Sequence, residues 1–166
     1  TLDYTFEGDL EPTLVFEYLY GSGDSDRGSV TDAAAGNQAD SDDAGFLSFG
    51  FVQTGFSLFP RVSNIHILRF GGSIRPLSAW ELFRKFEVAA YGYWYRKAES
   101  ESPISDPRSS EDDADVGMEF DLLLRWRIFS DLGFSLTFGR FLPGDAYTDD
   151  ADSPRNFFSA GLTVSF

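Results

Sequence analysis

The chain has no cysteine, a single histidine and no long apolar run, and each absence removes a class of protein. Without cysteine there is no disulfide framework and no thiolate metal site. A chain that crosses an oxidising compartment unfolded gains from that lack. No stretch approaches the roughly 20 apolar residues of a membrane-spanning helix. That excludes helical spanning alone, because barrel strands of about 10 alternating residues cross a bilayer without such a run. Basic side chains are scarce, 13 Lys and Arg against 27 Asp and Glu, for a net charge of −14. Nucleic acid is not expected as a partner, since phosphate contacts need clustered Lys and Arg. The lone histidine, His66, leaves little for general-base chemistry. By parity it falls with Leu68 and Phe70, no Ser–His–acid set converges on it, and neither an enzyme nor a cofactor is expected.

What is abundant is aromatic and alternating. Aromatics make up 17% of the residues, including 18 Phe, and many fall near expected strand ends, as interfacial girdles do. The closing segment is the sharpest case. Phe158, Ala160, Leu162, Val164 and Phe166 alternate with Ser159, Gly161, Thr163 and Ser165. One face suits lipid and the other a wet interior, and a terminal Phe with Gly in register is the closing-strand pattern of outer-membrane barrels. Ser159, Gly161, Val164 and Phe166 would carry the assembly signal read by barrel-insertion machinery.

Such alternation recurs along the chain, at Leu2–Glu7, Thr13–Tyr20, Leu47–Val52, Leu68–Arg75, Lys85–Lys97, 116–128, Phe134–Leu142 and the closing 156–166, with a helical turn around Ala79–Phe83. The strand at 116–128 is the clearest. Met118, Phe120, Leu122, Leu124, Trp126 and Ile128 form one face, and Glu119, Asp121, Leu123, Arg125 and Arg127 the other. Four charges on one side cannot face lipid, where each costs about 2–4 kcal/mol near the midplane. They cannot face a dry core unpaired either. A wet or ion-paired interior resolves both conflicts, so the apolar set of each strand is expected to touch acyl chains and the charged set to be enclosed.

The expected fold is therefore all-β: a transmembrane antiparallel up-and-down β-barrel of eight strands, one domain over residues 1–166, with acidic loops at about 21–45, 98–115 and 143–155. The segments 24–43, 99–115 and 145–152 hold 17 of the 27 acids with only Arg27 and Arg108, so they carry −15 and the remainder +1. Charge confined to Ser-, Asp- and Gly-rich segments marks solvated loops. Eight strands put the long loop 21–45 on the periplasmic side, where turns are normally short. If 46–56 belongs to an extracellular excursion instead, that loop moves outside and seven strands remain, an odd count that implies part of something larger. No leader-like segment opens the chain, so the barrel reading expects a mature form or a fragment.

Several stretches are similar to one known family. They are Asp115-Val116-Gly117-Met118-Glu119-Phe120-Asp121-Leu122, Phe141-Leu142-Pro143-Gly144-Asp145-Ala146-Tyr147 and Ala151-Asp152-Ser153, with the spacing through to Phe166; Gly21-Ser22-Gly23-Asp24 and Ser63-Asn64 are weaker echoes. On these the chain resembles the alginate-export family of outer-membrane porins, closely over 115–166 and loosely over 12–97. The resemblance implies an eighteen-stranded barrel that exports an anionic polysaccharide through an arginine-lined pore. The chain departs from it in length, and in having only the short turn Ser130–Gly133 where the family exporter has a long periplasmic plug.

The expected lumen set is Arg69, Arg75, Glu119, Asp121, Arg125 and Arg127. In a closed eight-stranded barrel, whose interior is just wide enough for side chains to fill, these pair with one another; in a wider barrel the same arginines line a pore and attract polyanions. Asp145, Asp149, Asp150 and Asp152 supply hard oxygens for Ca²⁺, without EF-hand spacing, and the preferred reading is a solvated loop in which Arg155 pairs with one of them. The functional expectation is a passive channel or export porin of the bacterial outer membrane. The alternative is a small closed barrel with a structural or surface-interaction role through its acidic loops. The partners expected are outer-membrane lipid and lipopolysaccharide, with other outer-membrane or periplasmic proteins possible.

Overall fold

The computed structural model describes all 166 residues, and it contains seven strands in one antiparallel sheet of order β1 to β7. They are β1 (Leu2–Thr5), β2 (Thr13–Gly21), β3 (Ile65–Ile74), β4 (Phe86–Lys97), β5 (Asp115–Arg127), β6 (Leu132–Pro143) and β7 (Arg155–Val164), with one 3₁₀ turn at Glu81–Phe83 between β3 and β4. Every strand pairs with its chain neighbour, which is the up-and-down connectivity that alternating segments with local turns favour.

Residues 46–56 form no strand, so the count is seven and not the eight expected. The alternation of Leu47, Phe49 and Phe51 is real, but the backbone takes positive φ at Gly50 (91°), Gly55 (119°) and Phe59 (52°), and an extended ladder does not survive that. The segment instead belongs to one long excursion, 22–64, between β2 and β3. As a result all three long acidic connections, 22–64, 98–114 and 144–154, leave the same end of the sheet. The shorter connections, 6–12, 75–85 and 128–131, share the opposite end.

The two faces differ as alternation requires. Leu14, Phe16, Tyr18 and Tyr20 of β2, Met118, Phe120 and Leu122 of β5, and Phe158, Leu162 and Val164 of β7 all lie exposed on one face, here the outer face. They meet in register, Phe16 opposite Phe70, Trp94 opposite Met118, Leu122 opposite Phe138 and Phe138 opposite Phe158, and such pairs are worth about 0.2–1 kcal/mol each. Arg140, in register with Phe120 and Asn156, also lies on this outer face, as does Arg96 opposite His66, so the charged set is not wholly enclosed. His66 shares a 2.7 Å hydrogen bond with the Tyr18 hydroxyl, and its ring centre lies 4.8 Å from that of Tyr20.

The inner face carries the core, which sits toward the long-loop end. Ile65, Ile67, Tyr93, Tyr95, Val116 and Phe141 from the strands pack with Leu58, Val62, Ile104, Ala146 and Tyr147 from the loops. The sheet does not close on itself: β1 pairs only with β2 and β7 only with β6.

Candidate functional site

The most ordered polar site lies on the inner face of β5, under the long β2–β3 excursion. Glu119 is fully buried. Its Oε1 accepts the backbone N–H groups of Phe56 and Ser57, each at 2.6 Å, and its Oε2 accepts that of Leu58 at 2.8 Å. A carboxylate that takes three consecutive N–H groups turns segment 54–60 inward onto the sheet, and charge-assisted bonds of this kind are about twice as strong as neutral ones. Tyr95 completes the clamp. Its hydroxyl donates to Thr54 O at 2.7 Å and lies 3.4 Å from Glu119 Oε2. The Thr54 hydroxyl donates to Pro60 O at 2.6 Å and closes the loop on itself. Gly55 is required at its position, because a Cβ there would sit 2.5 Å from the Tyr95 hydroxyl and 2.8 Å from Glu119 Oε1, and its φ of 119° disfavours any other residue.

Asp121, two residues along the same face, is 3% exposed and makes no ion pair. Both of its carboxylate oxygens lack a hydrogen-bond partner. It lies opposite Gly139 in register, where a Cβ would come within 2.8 Å of its Oδ1.

The remaining members of the expected lumen set do not pair with one another. Arg69 lies 3.4 Å from Glu17 on the inner face of β2 and over the Tyr91 ring. Arg125 lies 3.3 Å from Glu87 and is largely exposed, and Arg127 donates to Ser130 O at 2.9 Å. Arg75 falls past the end of β3, in the short connection, and pairs with Glu11. Arg125 and Arg127 share a polar hollow with Ser130, Asp131 and Ser135 at the short-turn end.

Two further clusters fix the loops above this face. Asn64, buried and at φ 52°, donates its amide to Glu99 O, Ser102 O and Pro103 O at 2.8–3.1 Å and accepts the Glu99 N–H at 2.7 Å. This ties the 98–114 loop to the foot of β3. The Ser22 carbonyl accepts from both Phe46 and Asn64, so the short Gly21–Asp24 and Ser63–Asn64 stretches act together. Arg155 does not pair with an acid of its own loop. It bonds Asp106 at 2.6 Å and the Tyr147 hydroxyl at 3.1 Å, with its guanidinium 4.6 Å from the Phe141 ring centre. Burial pushes the Asp106 carboxyl up, but hydrogen bonds from Arg155, the Arg108 N–H and Tyr147 outweigh it and hold Asp106 below its usual value. Burial and the Asp106 charge push the Tyr147 hydroxyl up. In the first acidic segment, Arg27 is buried, pairs with Asp43 and donates to Ser29 O and Asp32 O. Its neighbour Asp24 is held below the usual carboxylate range by the N–H groups of Ala44 and Asp26.

Sequence reasoning missed segment 54–60, Asn64 as a loop clamp and Asp106 as the partner of Arg155. Only the Ser63–Asn64 echo signalled any of them. Asp145, Asp149 and Asp150 line a shallow hollow with Glu111 and Thr148, and Asp152 is not among its lining residues. No three carboxylates or histidines anywhere in the chain converge at metal-ligating distance. Ser159 and Gly161 sit on the inner face of β7 and Val164 on the outer, while Phe166 follows the strand and is exposed.

No curated protein matches the chain. The family model for alginate export matches residues 1–160, nearly the whole chain, and the protein belongs to the alginate-export family.

Proposed function

We propose that this sheet is wall material of an outer-membrane export porin, inserted in the bacterial outer membrane and passing an anionic saccharide or similar solute. The observation that carries the reading is the clamp between Glu119 and segment 54–60: a loop from the long-connection end is folded onto the inner face and fixed by a wall carboxylate. A loop held there narrows a lumen, which is the job of a constriction in a passive channel. Membership of the family, the largely apolar outer face and the separation of long from short connections all support it.

The open edges bear on the barrel's size. A bilayer does not tolerate an unpaired strand edge. With seven strands, β1 and β7 run in the same direction, so antiparallel closure needs further strands between them. In our reading the sheet forms part of a wider ring, whose lumen lets Arg125 and Arg127 attract polyanions. The small closed barrel expects a strand at 46–56, and that segment runs within the β2–β3 excursion instead.

Single-channel recording of the folded protein in planar bilayers, with a short oligouronate added, tests this. Steady conductance interrupted by transient blocks is expected. A folded, inserted protein that stays silent contradicts the reading.

A further inference from the structure

Every arginine on the inner face of a strand has an acceptor: Arg69 with Glu17, Arg125 with Glu87, Arg127 with Ser130 O and Arg155 with Asp106. The two on the outer face, Arg96 and Arg140, are exposed and form no ion pair within the chain. Both sit at the long-connection end, Arg140 three residues before the end of β6 and Arg96 one before the end of β4. Phe120 and Asn156 lie opposite Arg140, and Phe138 and Leu142 flank it. Arg96 lies in a row with His66 and Tyr20. Its other neighbour, Asp115 across the β4–β5 bulge, turns its carboxylate to the β6–β7 connection, where a Cβ on Gly144 would come within 2.8 Å of Oδ2. The remaining outward strand positions hold no Lys, Arg, Asp or Glu; toward the short-connection end they are Leu14, Ile74, Phe86, Trp126, Phe134 and Leu162.

We propose that Arg96 and Arg140, with the polar tips of His66 and Tyr20 beside Arg96, form a docking surface for a phosphorylated lipid headgroup in the leaflet at the long-connection end. The proposal rests on the reading that the outer face meets lipid. A cation on that face is costly at the midplane and tolerated near the interface, where a long side chain lays its stem on apolar surface and extends its head to the headgroups. The planar guanidinium fork matches phosphate oxygens bidentately. Phe120, Phe138 and Leu142 around Arg140 call for an apolar body beside the anion, which a lipid supplies and a free phosphate does not. Charge points the same way. The acidic connections at that end, −15 over 24–43, 99–115 and 145–152, repel an anionic lipid surface, and the two outward arginines offset that repulsion where acyl chains meet the wall.

The test is a competition. The full chain is folded into phosphatidylcholine vesicles that hold diphosphoryl lipid A and the same lipid stripped of its phosphates in equal amounts, and the lipid it retains on release is read by native mass spectrometry. Wild type is expected to retain the phosphorylated form in about tenfold excess, the scale that two interfacial cations give. Arg96→Gln/Arg140→Gln should retain the two forms equally, and Arg96→Lys/Arg140→Lys should keep a reduced preference. Arg84→Gln/Lys85→Gln removes two exposed charges from the short connection and should keep the wild-type ratio. An undiminished preference in Arg96→Gln/Arg140→Gln, or an equal fall in the short-connection variant, overturns the proposal. So does loss of the wild-type preference to inorganic phosphate at matched ionic strength, which assigns the site to the free ion. A chain that does not insert into vesicles ends the porin reading and this one with it. A chain that inserts and conducts but retains both lipids equally ends this one alone.

Discussion

The Glu119 carboxylate and the Phe56 backbone N–H meet at 2.6 Å across 63 positions of sequence. That contact converts a stretch with strand-like alternation into a loop folded on the inner face. Truncating Glu119 to Ala leaves three N–H groups without an acceptor, at about 1–3 kcal/mol each if they stay buried. The loop escapes that penalty by swinging into water. Glu119→Ala is therefore expected to raise mean conductance severalfold and to expose segment 54–60 to limited proteolysis, while Glu119→Gln, which keeps an acceptor oxygen, lies between. Conductance and cleavage unchanged in both variants would remove the clamp from the account.

Asn64 combines a left-handed backbone with four side-chain bonds to the 98–114 loop. Asn64→Gly keeps the backbone free and loses the bonds. Asn64→Ala loses the bonds and adds the left-handed penalty of about 1–2 kcal/mol. Both variants should melt below wild type in detergent, with Ala lower than Gly by about 1 kcal/mol. Equal melting of the two would show that the φ of 52° is not held in solution.

The Asp106–Arg155 pair predicts an acid-sensitive loop. The folded carboxyl is held below its unfolded value of 3.8, so its stabilisation is complete above that value and is lost as pH falls through the lower folded value. Asp106→Asn should cost about 2 kcal/mol at neutral pH, the loss of a charge-assisted pair. It should also flatten the acid limb of the stability curve below about pH 4. An acid limb as steep as wild type would place the titrating group elsewhere.

Phe158 and Ser159 are neighbours on opposite faces of β7. An arginine at Phe158 meets acyl chains and costs about 2–4 kcal/mol near the midplane. At Ser159 it meets the inner side. Refolding yield into lipid vesicles should fall sharply for Phe158→Arg and little for Ser159→Arg. Equal losses would mean that the two faces are not distinguished by the membrane.

The sequence carried the elements whose evidence is local. β5 was legible because Glu119, Asp121, Arg125 and Arg127 share one parity against Met118, Phe120 and Leu122. β7 was legible for the same reason. Residues 46–56 misled, because Leu47, Phe49 and Phe51 alternate just as β5 does. What decides against a strand is positive φ at Gly50, Gly55 and Phe59, and an acceptor on a strand that begins at Asp115. The partner of Arg155 was likewise out of reach. Its own loop offers four nearby acids, yet Asp106 wins because Tyr147 and Phe141 build the pocket that orients the guanidinium. Arg140 on the outer face shows the limit of parity as a rule: Leu142 and Phe138 flank it on the same side, and nothing in the alternation explains a charge there.

The most direct measurement is nitroxide labelling at single cysteines through β5 and β7 in lipid vesicles, comparing collision with oxygen and with a water-soluble nickel complex. Positions 120, 122, 158 and 162 should favour oxygen and positions 123, 159 and 161 should not, giving a two-residue period. Outer-face positions that collide mainly with the nickel complex would contradict a lipid-facing sheet and the porin reading with it.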